Sequence, residues 1–216
     1  MSHARNAILA RLRDAKPEAK VMETITYQPW ISQDQQLLTE RFIASLSASH
    51  AEVISTDVAA LSSTIEKIVV TKALKQIALG SSGEFHEQIV QATALLKTHF
   101  FDKDIKDWKS ALFNDIDAGI THCQAGIADT GTLVLWPDIA EPRTLSLIPP
   151  CHIALIKKST IVSNFAELMI EQAWQNNMPT NIVLVSGPSK TADIQQTLAY
   201  GAHGPSQLIV ILIENM

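Results

Sequence analysis

Apolar residues along this chain recur in two spacings, three to four residues apart or as short unbroken runs. The first spacing marks helices with one buried face, and the second marks strands covered on both sides. Residues 2–14 carry Ala4, Ile8, Leu9 and Leu12 at helical intervals among Arg5, Arg11, Arg13 and Asp14. They predict an amphipathic helix that packs on its own domain, on a partner or on a second copy of the chain. A polar link holding Pro17 and Pro29 follows, where mobility is expected. Residues 32–49 predict a helix burying Leu37, Leu38, Phe42, Ile43 and Leu46. Further helices are expected over 61–74, 84–98 and 163–177, the last capped by Ser163 and burying Phe165, Leu168, Met169, Ala173 and Trp174. Strands are expected at 52–55, 76–80, 120–125, 133–136 and 152–156, with 100–109 as a charged connector. The chain closes on Ile182 to Val185, a Ser-Gly-Pro-Ser loop, a helix in which Thr191, Ile194 and Leu198 share a face, Gly201, and the run Leu208 to Ile213. That order reads as one βαβ unit.

Alternating helices and strands with one hairpin, around the Ala128–Thr132 turn, indicate a three-layer α/β fold. Its sheet is mostly parallel, with helices on both faces. At 216 residues and 46% hydrophobic, the chain has material for one sizeable core. Residues 1–30 form a helix and linker, and 31–216 the α/β domain. The net charge of −5 argues against nucleic acid as a partner, which would require a basic patch. No apolar run approaches the roughly 20 residues that span a bilayer. The N-terminal residues lack a signal-peptide core, so a cytoplasmic location is expected. Two cysteines, Cys123 and Cys151, cannot supply the four thiolates of an iron–sulfur cluster. There is no Gly-x-Gly-x-x-Gly and no flavin signature, so no cofactor is expected on this chain.

Three residue sets carry candidate chemistry. At a helix start, Ser186, Gly187, Pro188, Ser189 and Lys190 would present free N–H groups, a hydroxyl and a cation to an anion, with Asp193 one turn further in. The same pattern serves equally as a plain helix cap. Gly201 and the His203-Gly204 turn lie one helix length away, and a histidine there could serve as a proton shuttle. Thr130-Gly131-Thr132 offers hydroxyls and a close backbone approach to a carboxylate or phosphate, or is simply a hairpin turn. Gly80-Ser81-Ser82-Gly83 follows a strand and could face the same crevice, although Gly and Ser are ordinary turn residues. His122-Cys123 with Cys151-His152 has zinc's donor types but the wrong spacing, because neighbours on a strand point to opposite faces. Asp129, Glu141 and Arg143 are the remaining acid, base and anion-clamp candidates. The weak catalytic candidates are Asp193 and His203.

The run Ser186 to Ile194 with Gly201-Ala202-His203-Gly204-Pro205 resembles the C-terminal signature of the lactate-utilisation protein C family, the LUD domain. Gly126 to Leu135, Arg143 and Pro149-Pro150-Cys151-His152 resemble that family upstream. Lys190 stands where the family usually has Arg, and Asp129 where it often has Glu. Lys keeps the charge but loses the bidentate fork. The resemblance implies a fold like that of the glucosamine-6-phosphate deaminase, ribose-5-phosphate isomerase and CoA-transferase superfamily. It also implies a part in oxidising L-lactate to pyruvate beside partner proteins that carry iron–sulfur clusters. This chain would then bind a small anion or scaffold its partners, with Thr130, Gly131, Thr132, Arg143, Ser186 to Lys190, Asp193, His203 and Gly204 at the ligand. The alternative is a stand-alone enzyme acting on a phosphorylated or CoA-linked small molecule.

Overall fold

The computed structural model describes residues 2–15, 28–102, 105–176, 178–192 and 198–214. Its centre is a six-stranded, all-parallel sheet built from β1 (Glu52–Thr56), β2 (Gln76–Leu79), β3 (Lys97–Phe100), β4 (Ala118–His122), β7 (Cys151–Lys157) and β12 (Gln207–Ile213). The spatial order is β1-β12-β7-β4-β2-β3. The two longest apolar runs, β7 and β12, lie side by side in the middle, with Ile209 opposite Ile153 and Ile211 opposite Leu155. From Leu208 to Ile213 every side chain is buried. Each such side chain contributes roughly 1.5–3 kcal/mol.

One face of this sheet is covered by α3 (Leu61–Thr71) and α4 (His86–Ala92), through Leu61, Ile65, Ile68 and Ile89. Two groups cover the other face. Around β2, α5 (Ile105–Asn114) and α6 (Thr144–Leu147) pack Leu112 and Leu145 on Ala78. Around β7 and β12, α2 (Gln35–Ala48) packs Leu38, Phe42 and Leu46 on Ala154, Val210 and Leu212. Asp34 caps α2 by accepting from the N–H groups of Gln36 and Leu37. Above α2 lies a second sheet of β5 (Ala125–Ile127), β6 (Thr132–Leu135), β8 (Ile161–Val162) and β9 (Val183–Val185), in the order β8-β5-β6-β9. Its outer face carries α7 (Phe165–Glu171), with Leu168 and Trp174 against Val134. The fold is therefore the expected layered α/β arrangement, with an all-parallel main sheet and the antiparallel pairs confined to the smaller sheets.

Several local expectations are corrected. The closing βαβ unit does not form. Val183–Val185 pairs antiparallel with β6 in the second sheet. Residues expected to be a helix form the hairpin β10 (Lys190–Ala192) and β11 (Leu198–Tyr200), with Thr191 opposite Ala199. The cause is a backbone clip: Ser189 N–H donates to the Pro205 carbonyl and Gly201 N–H to the Ser189 carbonyl. This holds the two arms in ladder register. The 84–98 helix stops at Ala92, and β3 follows it. The 100–109 connector gives way to α5. The 120–125 strand is cut after His122 and resumes as β5 in the other sheet. The cap of α7 is Asn164, which accepts from the Glu167 N–H, and Met169 and Ala173 are exposed rather than buried. Leu37 of α2 is exposed as well. Residues 2–14 do form a helix, α1 (Ser2–Asp14), whose Ile8, Leu9 and Leu12 are exposed. The proline link and Asp193 lie outside the described residues, except Pro29. Among the described residues no helix is long and apolar enough to cross a membrane.

Candidate functional site

Parallel strands converge on two depressions with opposite character. The larger is a cleft of about 530 Å³ at the C-terminal ends of β2, β4 and β7, where ligands bind in open α/β sheets. Its walls are the Gly80–Phe85 loop, the Trp136–Glu141 loop and the segment from Lys157 to Gln172. His122, the last residue of β4, is fixed at its centre. The Phe85 N–H donates to His122 Nε2 at 3.1 Å, so the ring proton sits on Nδ1. That proton is donated to Glu141 Oε1 at 2.6 Å, while the His122 backbone N–H donates to Oε2 at 3.0 Å. The ring also stacks on Phe85. Two glycines make room for the pair. A Cβ on Gly83 would lie 2.3 Å from His122 Cε1, and one on Gly80 would lie 2.5 Å from Glu141 Cγ.

The chemistry available in the cleft is acceptor-rich. Glu84, Asp138, Glu141 and Glu171 line it against one lysine, Lys157, which is paired with Glu84 at 2.8 Å. Both ring nitrogens of His122 are engaged, so it is not poised as a base. Burial, with the Glu141 charge beside it, pushes the Cys123 thiol far up, so it is no nucleophile. This lining suits a ligand or surface that presents hydrogen-bond donors and repels phosphate.

The smaller pocket, about 180 Å³, lies between α6, β9, the Ser186–Ser189 loop and the His203–Pro205 turn. It gathers Ser186, Gly187, Pro188, Ser189, His203 and Gly204 of the residues singled out in the sequence. It also takes in His152, near the start of β7. His152 is 1% exposed; its Nε2 is 2.8 Å from Thr121 Oγ1, and its Nδ1 has no partner. Burial holds its pKa down at about 4, so the ring is neutral. No carboxylate lines this pocket among the described residues.

The remaining candidates are placed as follows. Thr130, Thr132 and Ser186 form one hydroxyl chain, with Oγ–Oγ distances of 2.6 and 2.7 Å, which ties the β5–β6 turn to β9. Gly131 (φ +58°) and Gly187 back onto the end of α2. A Cβ on Gly131 would lie 2.5 Å from Ser45 Cβ, and one on Gly187 would lie 2.8 Å from the Ser49 carbonyl oxygen. These two glycines serve a close packing of helix on turn. Lys190 opens β10 and is exposed, and with no helix behind it the expected dipole is absent. Arg143 is exposed just before α6 and faces the other way, beside Pro142 and Trp136. Of the Gly80-Ser81-Ser82-Gly83 turn, Ser82 and Gly83 line the acidic cleft, and none of the four lines the crevice at Ser186–Ser189. Asp129 pairs with Arg41 at 2.7 Å. His122 and His152 end up far apart along their strands, because Gly119, not His122, is opposite His152. Among the described residues no cluster of His, Cys, Asp or Glu could hold a metal.

Sequence reasoning missed the His122–Glu141 pair and the pocket role of His152. The signal for the first was the glycine at each end of Gly80–Gly83, read as a tight turn. The signal for the second was a histidine inside the apolar run Cys151 to Ile156.

Comparison with known proteins places the chain. The LUD domain model matches residues 39–213. An uncharacterized protein of Neisseria meningitidis serogroup B is 39% identical, over 97% of this chain and 93% of its own length. Lactate utilization protein C 1 of Bacillus mycoides is 29% identical over 95% and 93%, and lactate utilization protein C of a Geobacillus species 31% over 84% and 79%. Among solved structures, a DUF162 family protein from Deinococcus radiodurans superposes with a TM-score of 0.63. It covers 84% of this chain and 99% of that one at 21% identity, a likeness of fold. With more than half its length matched by the family model and a near full-length relative at 39% identity, the chain belongs to the LUD domain family.

Proposed function

We propose that this chain is a component of a lactate-utilising system. In it the chain binds a small anion or aligns its partners, while electrons pass through iron–sulfur clusters held by other proteins. The observation that carries this reading is similarity along nearly the whole chain to a relative named lactate utilization protein C. The chain's own chemistry supports the division of labour. Its two cysteines lie near opposite ends of neighbouring strands, since Cys151 pairs with Ala118 at one end of β4 and Cys123 follows the other end. At about 3.3 Å per residue they are roughly 15 Å apart. Burial raises both thiols, Cys151 to about 11, which opposes the thiolate form that iron requires.

The second reading, an enzyme for phosphorylated or CoA-linked substrates, draws on Glu141, a carboxylate inside the cleft. The three other acidic side chains of the cleft, Glu84, Asp138 and Glu171, disfavour a phosphate there. The experiment that separates the readings is deletion of the gene, followed by growth on L-lactate and on glucose. A lactate-specific defect, restored by the tagged chain and accompanied by copurification of iron–sulfur proteins, is expected. Normal growth on lactate, or an isolated protein that turns over acyl-CoA or sugar phosphates, overturns the proposal.

A further inference from the structure

Helix α7 is apolar on both sides. Phe165 and Leu168 pack inward on the second sheet. On the outer side Ala166, Met169 and Ile170 recur at i, i+3 and i+4, and all three are exposed, Ile170 at 79%. A surface helix presents polar residues there, and one that is apolar all round is a helix that something covers. Met178 extends the patch, and with the buried Trp174 these side chains line a groove of about 680 Å³ that holds no charged group among the described residues. Helix α1 has the matching defect. Its Ile8, Leu9 and Leu12 share one face, yet every residue from Ala4 to Ala15 is exposed, so α1 rests on no other part of its own chain. A helix of 13 residues is marginal in water unless a face of it is packed. The charges are complementary as well. Helix α1 sets Arg5, Arg11 and Arg13 against Asp14 in a chain whose net charge is −5. Glu171 ends α7 on the flank that faces the acidic cleft.

We propose that the α7 groove is the docking site for α1 of a second copy of this chain, so that two copies exchange their N-terminal helices in a symmetric dimer. Ile8, Leu9 and Leu12 then pack on Met169, Ile170 and Met178, a helix laid in an apolar groove. The arginines beside them meet Glu171 and the carboxylates of the cleft behind it. The tether starts in the right place. Asn164, the cap of α7, donates from Nδ2 to the Trp30 carbonyl, and the Ser32 N–H donates to Ser163 Oγ, each at 3.1 Å. The chain therefore enters the α/β domain beside α7, and at roughly 3.3 Å per residue the stretch from Ala15 to Gln28 reaches about 40 Å at most. A single copy leaves both apolar faces bare. A pair covers both, and covers them twice, because the exchange is reciprocal.

The test is the molar mass of the full chain, measured by light scattering after size exclusion over a concentration series. The unaltered chain runs as a dimer. Leu12→Glu and Ile170→Lys alter side chains that are 67% and 79% exposed in the single copy, so the fold of each copy is kept, as circular dichroism checks. Each variant spoils both contacts of a pair, raises the dissociation constant about a hundredfold or more, and runs as a monomer. A mixture of the two variants, one of them tagged, associates again. In a mixed pair one contact joins an unaltered α1 to an unaltered α7, and the other sets the new carboxylate against the new ammonium. The untagged variant therefore copurifies with the tagged one, which docking within a single chain cannot produce. A full chain that stays monomeric throughout the series overturns the proposal. So does a dimer that survives Leu12→Glu but not Ile170→Lys, which would assign the groove to α7 against α7. Variants that fail to associate on mixing overturn it too.

Discussion

The Gly83→Ala variant tests whether the acidic cleft is built around a fixed His122 ring. The new methyl would lie 2.3 Å from Cε1 and 2.7 Å from Nδ1. The ring cannot swing aside freely, because Phe85 N–H and Glu141 hold it from both ends. Displacing it loses the amide bond to Nε2, about 1 kcal/mol. The bond to Glu141 is charge-assisted, but both side chains keep 17–18% of their surface in water, so we assign it about 1 kcal/mol as well. Gly83 also has φ +154°, a region nearly reserved for glycine, which adds about 1 kcal/mol. The sum is about 3 kcal/mol, a fall in Tm of about 6–12 °C for this chain length. Thermal denaturation followed by circular dichroism measures it. The decisive comparison is the same substitution in a His122→Ala background. With the ring gone, only the backbone cost of about 1 kcal/mol remains, or 2–4 °C. Equal falls in the two backgrounds would refute the claim that Gly83 exists to seat the ring.

Three other outcomes follow from the same physics. Gly131→Ala forces a residue at φ +58° to place its Cβ 2.5 Å from Ser45 Cβ. It should cost about 2 kcal/mol or more, seen as a Tm fall of at least 4–8 °C. Asp34→Ala removes the cap of α2 and should cost about 1 kcal/mol, with Asp34→Asn nearly neutral by the same thermal assay. His152 makes stability depend on pH. Its folded pKa, about 4, is below the usual 6.5, so the unfolded chain binds the proton first. The stability it supplies is complete above pH 6.5 and is lost as pH falls toward 4, by roughly 3 kcal/mol. Urea titrations across that window should show the loss, and a folded His152→Gln should show a flatter profile.

The sheet core was legible because β7 and β12 are continuous apolar runs, a pattern that only a strand covered on both faces requires. What stayed hidden depends on long-range contacts. Thr191, Ile194 and Leu198 obey helical spacing, yet the hairpin is set by Ser189 bonding to Pro205 and Gly201, groups that sequence periodicity does not weigh. Ile105, Trp108 and Leu112 also repeat at helical spacing, but charged residues between them masked α5. At the candidate site, Ser186, Ser189, His203 and Gly204 were chosen from a motif and do meet around one pocket. Their expected helix dipole does not exist, and the buried group they surround, His152, comes from a strand more than thirty residues earlier. Gly131 and Gly187 look like ligand glycines in sequence because the same freedom serves a ligand or a neighbouring helix, and here the neighbour is α2.

Strand β4 links the two depressions through the alternation of its side chains. Its last two residues, Thr121 and His122, point to opposite faces. His122 is pinned over the acidic cleft, and Thr121 reaches the His152 ring below the smaller pocket. The lining charges set the two depressions apart. An anion is repelled by the four carboxylates of the cleft and meets none in the pocket among the described residues, whereas a donor-rich ligand or a basic protein surface is drawn to the cleft.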